Sequence, residues 1–236
     1  MIPPTRWLEA LISHLPAART GSDPEAVHQV RVAVARLRVW LALGGRRVLQ
    51  DDLRWLRRNI AGIRDLDVHL AQSPPPGLAE RLRDARLTAQ RELGQVLDQA
   101  RIDGLLRALA LLPPLSVDDA RARLVRLVRR ARKRRRQALA RPAHLPSLHA
   151  LRCAVRGLRF ALEWLGPCPD ELVETQDALG AVVDRMVALR QLRQLDGDHP
   201  IADEHQLRLQ RELDDKSKRA WRLCGELGPV LAELGS

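Results

Sequence analysis

The strongest constraint on this chain is that much of it is written twice. The stretch PEAVHQVRVAVARLRVWLAL at residues 24–43 and the stretch PSLHALRCAVRGLRFALEWL at 146–165 align at an offset of 121. At about 100° per residue, Val27, Val30, Val34, Leu37 and Leu41 fall within an arc of about 80° on a helix. The offset carries them to Leu148, Leu151, Val155, Leu158 and Leu162, apolar at every position. It also carries His28, Arg31 and Arg38 onto His149, Arg152 and Arg159. Agreement on both the apolar and the basic face is what an internal duplication produces. The next segments agree as well: Leu53, Ile60, Ile63 and Leu70 match Leu172, Leu179, Val182 and Leu189 at an offset of 119, and Asp65 falls on Asp184. A two-residue change in the intervening loop accounts for the altered offset.

The rest of the chain also reads as helix, because apolar residues recur at spacings of three and four and strand-type alternation is absent. The pattern predicts helices over 4–15, 23–44, 50–72, 77–112, 117–141, 146–165, 170–196 and 201–227, with a short turn at 229–234. Breaks fall at GSDP, LGG, SPPPG, LLPPLS, RPAHLP, GPCP and DGDHP, all carrying Gly or Pro. Asp23 before Pro24 and Glu25 is a capping sequence with proline in the first turn, and Ser116 is a weaker cap of the same kind. Gly104 is where the long 77–112 segment is expected to bend. The expectation is an all-α chain of four plus four helices, divided into halves at 1–114 and 115–236.

With 236 residues each half has room for a core. Cys153, Cys168 and Cys224 form no C-x-x-C pair, which argues against a disulfide framework or zinc site and for a reducing compartment. No apolar run approaches the roughly 18 residues of a membrane span, and no signal-type N-terminus is visible, so a cytoplasmic protein is expected.

The net charge is +11, and only Lys133, Lys216 and Lys218 of the 40 basic residues are lysine. Such a surface attracts polyanions: nucleic acid, anionic lipid or phosphate polymers. Arginine forks suit phosphate, although a coding bias explains the arginine count equally well, so placement carries more weight. His28, Arg31 and Arg38 lie within about 80° of one another, beside the apolar stripe rather than opposite it, and His149, Arg152, Arg156 and Arg159 fill the matching arc. Rim positions pack their stems and hold their heads in place. Glu163 enters the same arc, placed to brace Arg156 or Arg159. Solvation is the commonest fate of charged faces, but a merely solvated face has no reason to keep the same His-x-x-Arg in both copies. If the halves pack about a pseudo-twofold axis, the two arcs line one basic groove or pore and contribute alike.

A third element, RARLVRLVRRARKRRR at 121–136, holds ten basic side chains and no acid. Arg123, Arg130 and Arg134 share its stripe beside Leu124, Leu127 and Ala131, and the remainder point all round. A nucleic-acid arm has this composition; a membrane-surface helix fits less well without Trp, Phe or a broad Leu face. Asp65, Asp67 and Asp184 allow a metal or acid/base reading, but among so many arginines ion pairing is the simpler one. Trp7, Trp40, Trp55, Trp164 and Trp221 read as packing residues; with aromatics at 3%, single-strand binding by stacking is disfavoured.

These motifs resemble the CHAD domain, the conserved histidine α-helical domain. VHQVRVAVARLR followed by RDLDV, and LHALRCAVRGLRFALE followed by ETQDALGAVVD, each show His-x-x-Arg, then Leu-Arg, then a downstream acidic helix. The resemblance implies a single domain over 1–236 made of two four-helix bundles related by internal pseudo-twofold symmetry. It further implies binding of inorganic polyphosphate through a central basic surface and association with polyphosphate granules. By position, the residues implied are His28, Arg31, Arg36 and Arg38 in the first copy and His149, Arg152, Arg156 and Arg159 in the second. Arg64, Arg123, Arg130 and Arg134 complete the candidate set. Where members often carry two adjacent basic residues before Leu-Arg, this chain has Ala35–Arg36 and Arg156–Gly157, and Ala61 stands where the second copy has Gly180. No Glu-x-Glu pattern of the triphosphate-cleaving domains fused to some relatives occurs, so no catalytic partner domain is expected. The leading expectation is therefore non-catalytic polyphosphate binding without metal or cofactor. A sequence-independent RNA or DNA binder is the alternative, and a metal-dependent phosphohydrolase using Asp65, Asp67 and Asp184 comes third.

Overall fold

The computed structural model describes residues 1–141, 144–195 and 203–235. The end of the helix expected to 196, the start of the one expected from 201, the DGDHP break and the middle of RPAHLP lie outside the described residues. Among the described residues the fold is all-α, without strands; Ile2 and Leu115 form one isolated antiparallel bridge. The chain divides into two compact units, one over 1–116 and the other over 117–194 and 203–235.

The first unit contains α1 (Thr5–Thr20), α2 (Pro24–Leu43), α3 (Gln50–Leu70), α4 (Pro76–Leu97) and α5 (Ala100–Ala110). α2 packs against α1 and α3, and α1 also meets α4 and α5. The α2 start follows its sequence: Asp23 accepts a hydrogen bond from the Glu25 N–H at 2.9 Å, and Pro24 occupies the first turn, where its missing N–H has no partner to lose. Val27, Val30, Val34, Leu37 and Leu41 are fully buried, each worth about 1.5–3 kcal/mol on transfer from water. Trp40 is buried with them and donates its Nε1–H to the Ile2 carbonyl at 3.0 Å. On α3, Leu53, Ile60 and Ile63 are buried as expected; at the last turn the fully buried residue is His69, while Leu70 is only half-buried.

Two boundaries of the first unit differ from the sequence reading, as does the end of α9 described below. α1 continues through Pro16 to Thr20 because its buried face does: Ala18 extends the stripe of Leu8, Leu11 and Leu15. The helix stops at Gly21, whose left-handed φ of 72° lets its N–H return to the Ala17 carbonyl. The 77–112 segment breaks at Asp98–Gln99 rather than near Gly104. Asp98 pairs with Arg19 of α1 at 3.0 Å, Gln99 is extended, and Gly104 remains inside α5, so the first unit has five helices where four were expected.

The second unit contains α6 (Val117–Leu139), α7 (Leu145–Leu165), α8 (Asp170–Leu195) and α9 (Asp203–Glu233). Its core joins Val128 and Ala131 of α6 to Leu148, Leu151, Val155, Leu158 and Leu162 of α7, Leu172, Leu179, Val182 and Leu189 of α8, and Leu209, Leu227 and Leu231 of α9. The repeat-derived stripe is thus buried in this copy as well. Arg185 of α8 pairs with Glu212 of α9 at 2.5 Å.

α9 runs to Glu233 although Pro229 lies inside it. Proline has no N–H for the carbonyl four residues earlier, that of Gly225. Arg135 of α6 supplies the missing donor: its Nη2 reaches the Gly225 carbonyl at 2.7 Å and its Nε the Cys224 carbonyl at 2.6 Å. Arg132 does the same at the helix end, donating to the Leu231 and Ala232 carbonyls at 2.6–2.9 Å. The approach needs Gly228, where a Cβ would stand 2.8 Å from Arg135 Nη2.

Candidate polyanion-binding faces

In the first unit, α2 and α3 together carry His28, Arg31, Arg36, Arg38 and Arg64, all half-buried. The apolar stripe of α2 fixes their register, so their stems lie along the core edge. His28 Nδ1, Arg38 Nε and Arg64 Nε are buried polar atoms without a hydrogen-bond partner. His28 is held below its ordinary pKa, first by burial and then by Arg64, with Arg31 and Arg36 adding to the effect and Glu25 opposing it. Arg38 is likewise pushed down, by burial and by Arg57 and Arg54 of α3. The Arg36 guanidinium lies 4.1 Å from the centroid of the Trp7 ring, which also receives Arg6 at 4.9 Å. Stacking therefore fixes the direction of Arg36.

In the second unit, α7 carries His149, exposed, and Arg152, Arg156 and Arg159, half-buried. Arg152 Nε is buried without a hydrogen-bond partner and lies 4.0 Å from where a Cβ on Gly180 of α8 would stand. Arg159 is differently placed: its Nε donates to Glu163 at 2.8 Å, and Asp177 stands 3.6 Å from its Nη1. Glu163, expected to brace Arg156 or Arg159, accepts from Arg159. Arg38, its counterpart in the first copy, sits among cations instead. Arg38 and Arg159, which match in the sequence repeat, thus differ in their counter-charges.

On α6, Arg123 pairs with Asp119 of its own first turn at 3.9 Å and Arg134 donates to Gln137 at 2.8 Å, while Arg130 is exposed. Asp67 forms a largely buried ion pair with Arg86 of α4 at 2.5 Å.

Three residues join the faces that motif reading passed over. Arg54 and Arg57 belong to the Arg38 neighbourhood; Arg57 stands two turns before Arg64, a spacing that would have revealed it. Cys153 takes the place that Val32 has in the first copy. Its Sγ lies 3.6 Å from His149 Nε2. That hydrogen bond lowers the thiol pKa from its ordinary 9.0 to about 7, against the opposing effect of burial and with help from the charges of His149, Arg156 and Arg152.

The CHAD domain model matches residues 5–193. This chain belongs to the CHAD family. Its fold is similar to the crystal structure of the CHAD domain from the plant Ricinus communis: TM-score 0.71 and 26% identity, over 99% of this chain and 89% of that one. It is also similar to PptA from Streptomyces chartreusis, with TM-score 0.64 and 18% identity over 96% of this chain and all of that one, a likeness of fold. No curated protein matches the chain. No described helix of this CHAD protein is long and apolar enough to cross a membrane.

Proposed function

We propose that this CHAD protein binds inorganic polyphosphate, without turning it over, through the basic faces of α2–α3 and of α7. The observation that carries the reading is the set of buried nitrogens without partners: His28 Nδ1, Arg38 Nε and Arg152 Nε, from the residues that the family motif singled out, and Arg64 Nε beside them. A buried polar group left unpaired costs about 1–3 kcal/mol. Polyphosphate is a chain of acceptor oxygens with about one negative charge per repeat, so it suits closely spaced cationic donors without requiring a defined end. Glu163 and Asp177 engage Arg159, and Asp67 engages Arg86. Retention on polyphosphate granules in the cytoplasm follows from the same chemistry.

The test is a titration of long-chain polyphosphate into the full chain over a range of salt, beside an assay for released phosphate with and without divalent metal. Released counterions should make log K fall steeply with log salt, and no phosphate should appear. An affinity indifferent to salt would remove the basic faces from the reading, and turnover would replace binding with catalysis.

A further inference from the structure

The ten basic side chains of 121–136 separate into groups once their surroundings are known. Arg132 and Arg135 are engaged by carbonyls of α9, Arg123 by Asp119 and Arg134 by Gln137. Arg126, Arg129, Arg130, Lys133 and Arg136 are all exposed, and none makes an ion pair or side-chain hydrogen bond among the described residues; Arg121, exposed and likewise unpaired near the start of α6, lies outside the arc that these five share. The core side of α6 is set by Ala120, Val128, Ala131 and Ala138. At about 100° per residue the five cations from Arg126 to Arg136 fall in an arc of about 120° centred opposite that buried side. They extend from 126 to 136, about 15 Å along the axis. Arg129 and Arg136 form one edge of the arc, Arg126 and Arg130 the other, and Lys133 lies between. Like charges at i,i+3 and i,i+4 disfavour a helix, and here they are gathered on its outermost side, with Asp118 and Asp119 of the first turn the sole acids of the element.

We infer that the outward face of α6 is a docking surface for the phosphate backbone of duplex DNA, without sequence preference. The major groove of B-form DNA admits an α-helix, and two rows of arginine separated by a lysine can meet phosphates on both of its edges. Stacking on single strands needs aromatics, and 117–139 contains none. Duplex RNA presents a major groove too deep and narrow for a helix face. A membrane surface calls for an apolar flank, whereas on α6 the one exposed large apolar side chain is Val125. The inference does not depend on polyphosphate binding.

The experiment measures binding of the full chain to a random-sequence DNA duplex over a range of salt. The variant R126Q/R129Q/K133Q/R136Q should lose about 100-fold in affinity at low salt, with its log–log slope shallower by about 3–4. The charge-retaining R126K/R129K/R136K should stay within about threefold of wild type, because phosphate contacts need charge rather than a fork. Melting temperature controls for folding; if the fourfold variant does not fold, R126Q/K133Q should still flatten the slope by about 2. The inference is overturned if wild type does not bind the duplex, or if the folded glutamine variants bind it like wild type. It is equally overturned if single-stranded DNA, duplex RNA or phosphatidylserine vesicles compete as well as duplex DNA.

Discussion

Replacing His149 with alanine should raise the pH at which Cys153 becomes a nucleophile. The imidazole 3.6 Å from Sγ is the largest cause of the thiol's descent to a pKa of about 7, while Arg156 and Arg152 contribute less and burial acts the other way. At pH 7 a thiol with that pKa is about half thiolate, against about 1% for an ordinary cysteine at 9.0. The gain in rate is smaller than that ratio, because a thiolate that leaves its proton more easily attacks less eagerly. With a Brønsted coefficient of about 0.4–0.5, two pKa units cost roughly eightfold in intrinsic reactivity. The net acceleration at neutral pH is therefore about sixfold, and the firmer signature is the midpoint of the pH–rate curve. Iodoacetamide alkylation followed peptide by peptide in mass spectrometry reads that midpoint for Cys153 alone. Cys168, pushed up by burial, and Cys224, pushed up to about 12, serve as slow internal references. Wild type should turn over near pH 7, and H149A more than one unit higher. Saturating polyphosphate should also move the wild-type curve upward, since a polyanion beside a thiolate favours its protonated form. A wild-type midpoint near 9, or identical midpoints in the two proteins, would refute the pairing of His149 with Cys153.

Further outcomes concern charge and stability. Arg38→Ala should weaken polyphosphate binding more than Arg159→Ala, because Arg159 is already neutralised by Glu163 and Asp177 whereas Arg38 stands among Arg54 and Arg57; equal losses in titration would contradict this. His28 is mainly neutral in the free protein because burial and then Arg64 lower its pKa. A bound polyanion raises that pKa, binding takes up a proton, and affinity should rise from pH 8 to 6, by at most about tenfold per pH unit. His28→Gln should flatten that rise, and an unchanged slope would place the proton elsewhere. Arg135→Ala takes away the donor that replaces the Pro229 N–H at the Gly225 carbonyl, and the second bond to Cys224, and should destabilise the protein by about 1–2 kcal/mol in denaturant titration. Arg135→Lys should recover only part of it, since one ammonium cannot match the fork; full recovery would show that charge alone suffices.

The helices were legible because a period of 3.6 residues leaves its mark wherever one face is buried: every apolar position that the repeat matched on α2 and α7 proved to be core. What stayed hidden were boundaries set by distant partners. The break at Asp98 depends on Arg19, and the continuation of α9 past Pro229 on Arg135, neither of which local propensity contains. The basic faces show the same division. Their cations can be read from the repeat, but whether a cation is free depends on the acids that reach it, so Arg38 and Arg159 look alike in sequence and differ in the fold. Arg36 is a similar case, its direction set by Trp7 from α1.

The bonds from Arg132 and Arg135 to α9 also bear on the order in which the second unit assembles. The turns around Pro229 cannot complete their hydrogen bonding from within, because one donor comes from a helix about 90 residues earlier in the chain. Amides of that segment should therefore gain protection from solvent exchange when α6 docks, because the last turns of α9 fray less once their carbonyls are held. A loop-closure step spanning that separation is an entropic delay. The last turns of α9 thus act as a reporter of the finished bundle rather than as a seed for it.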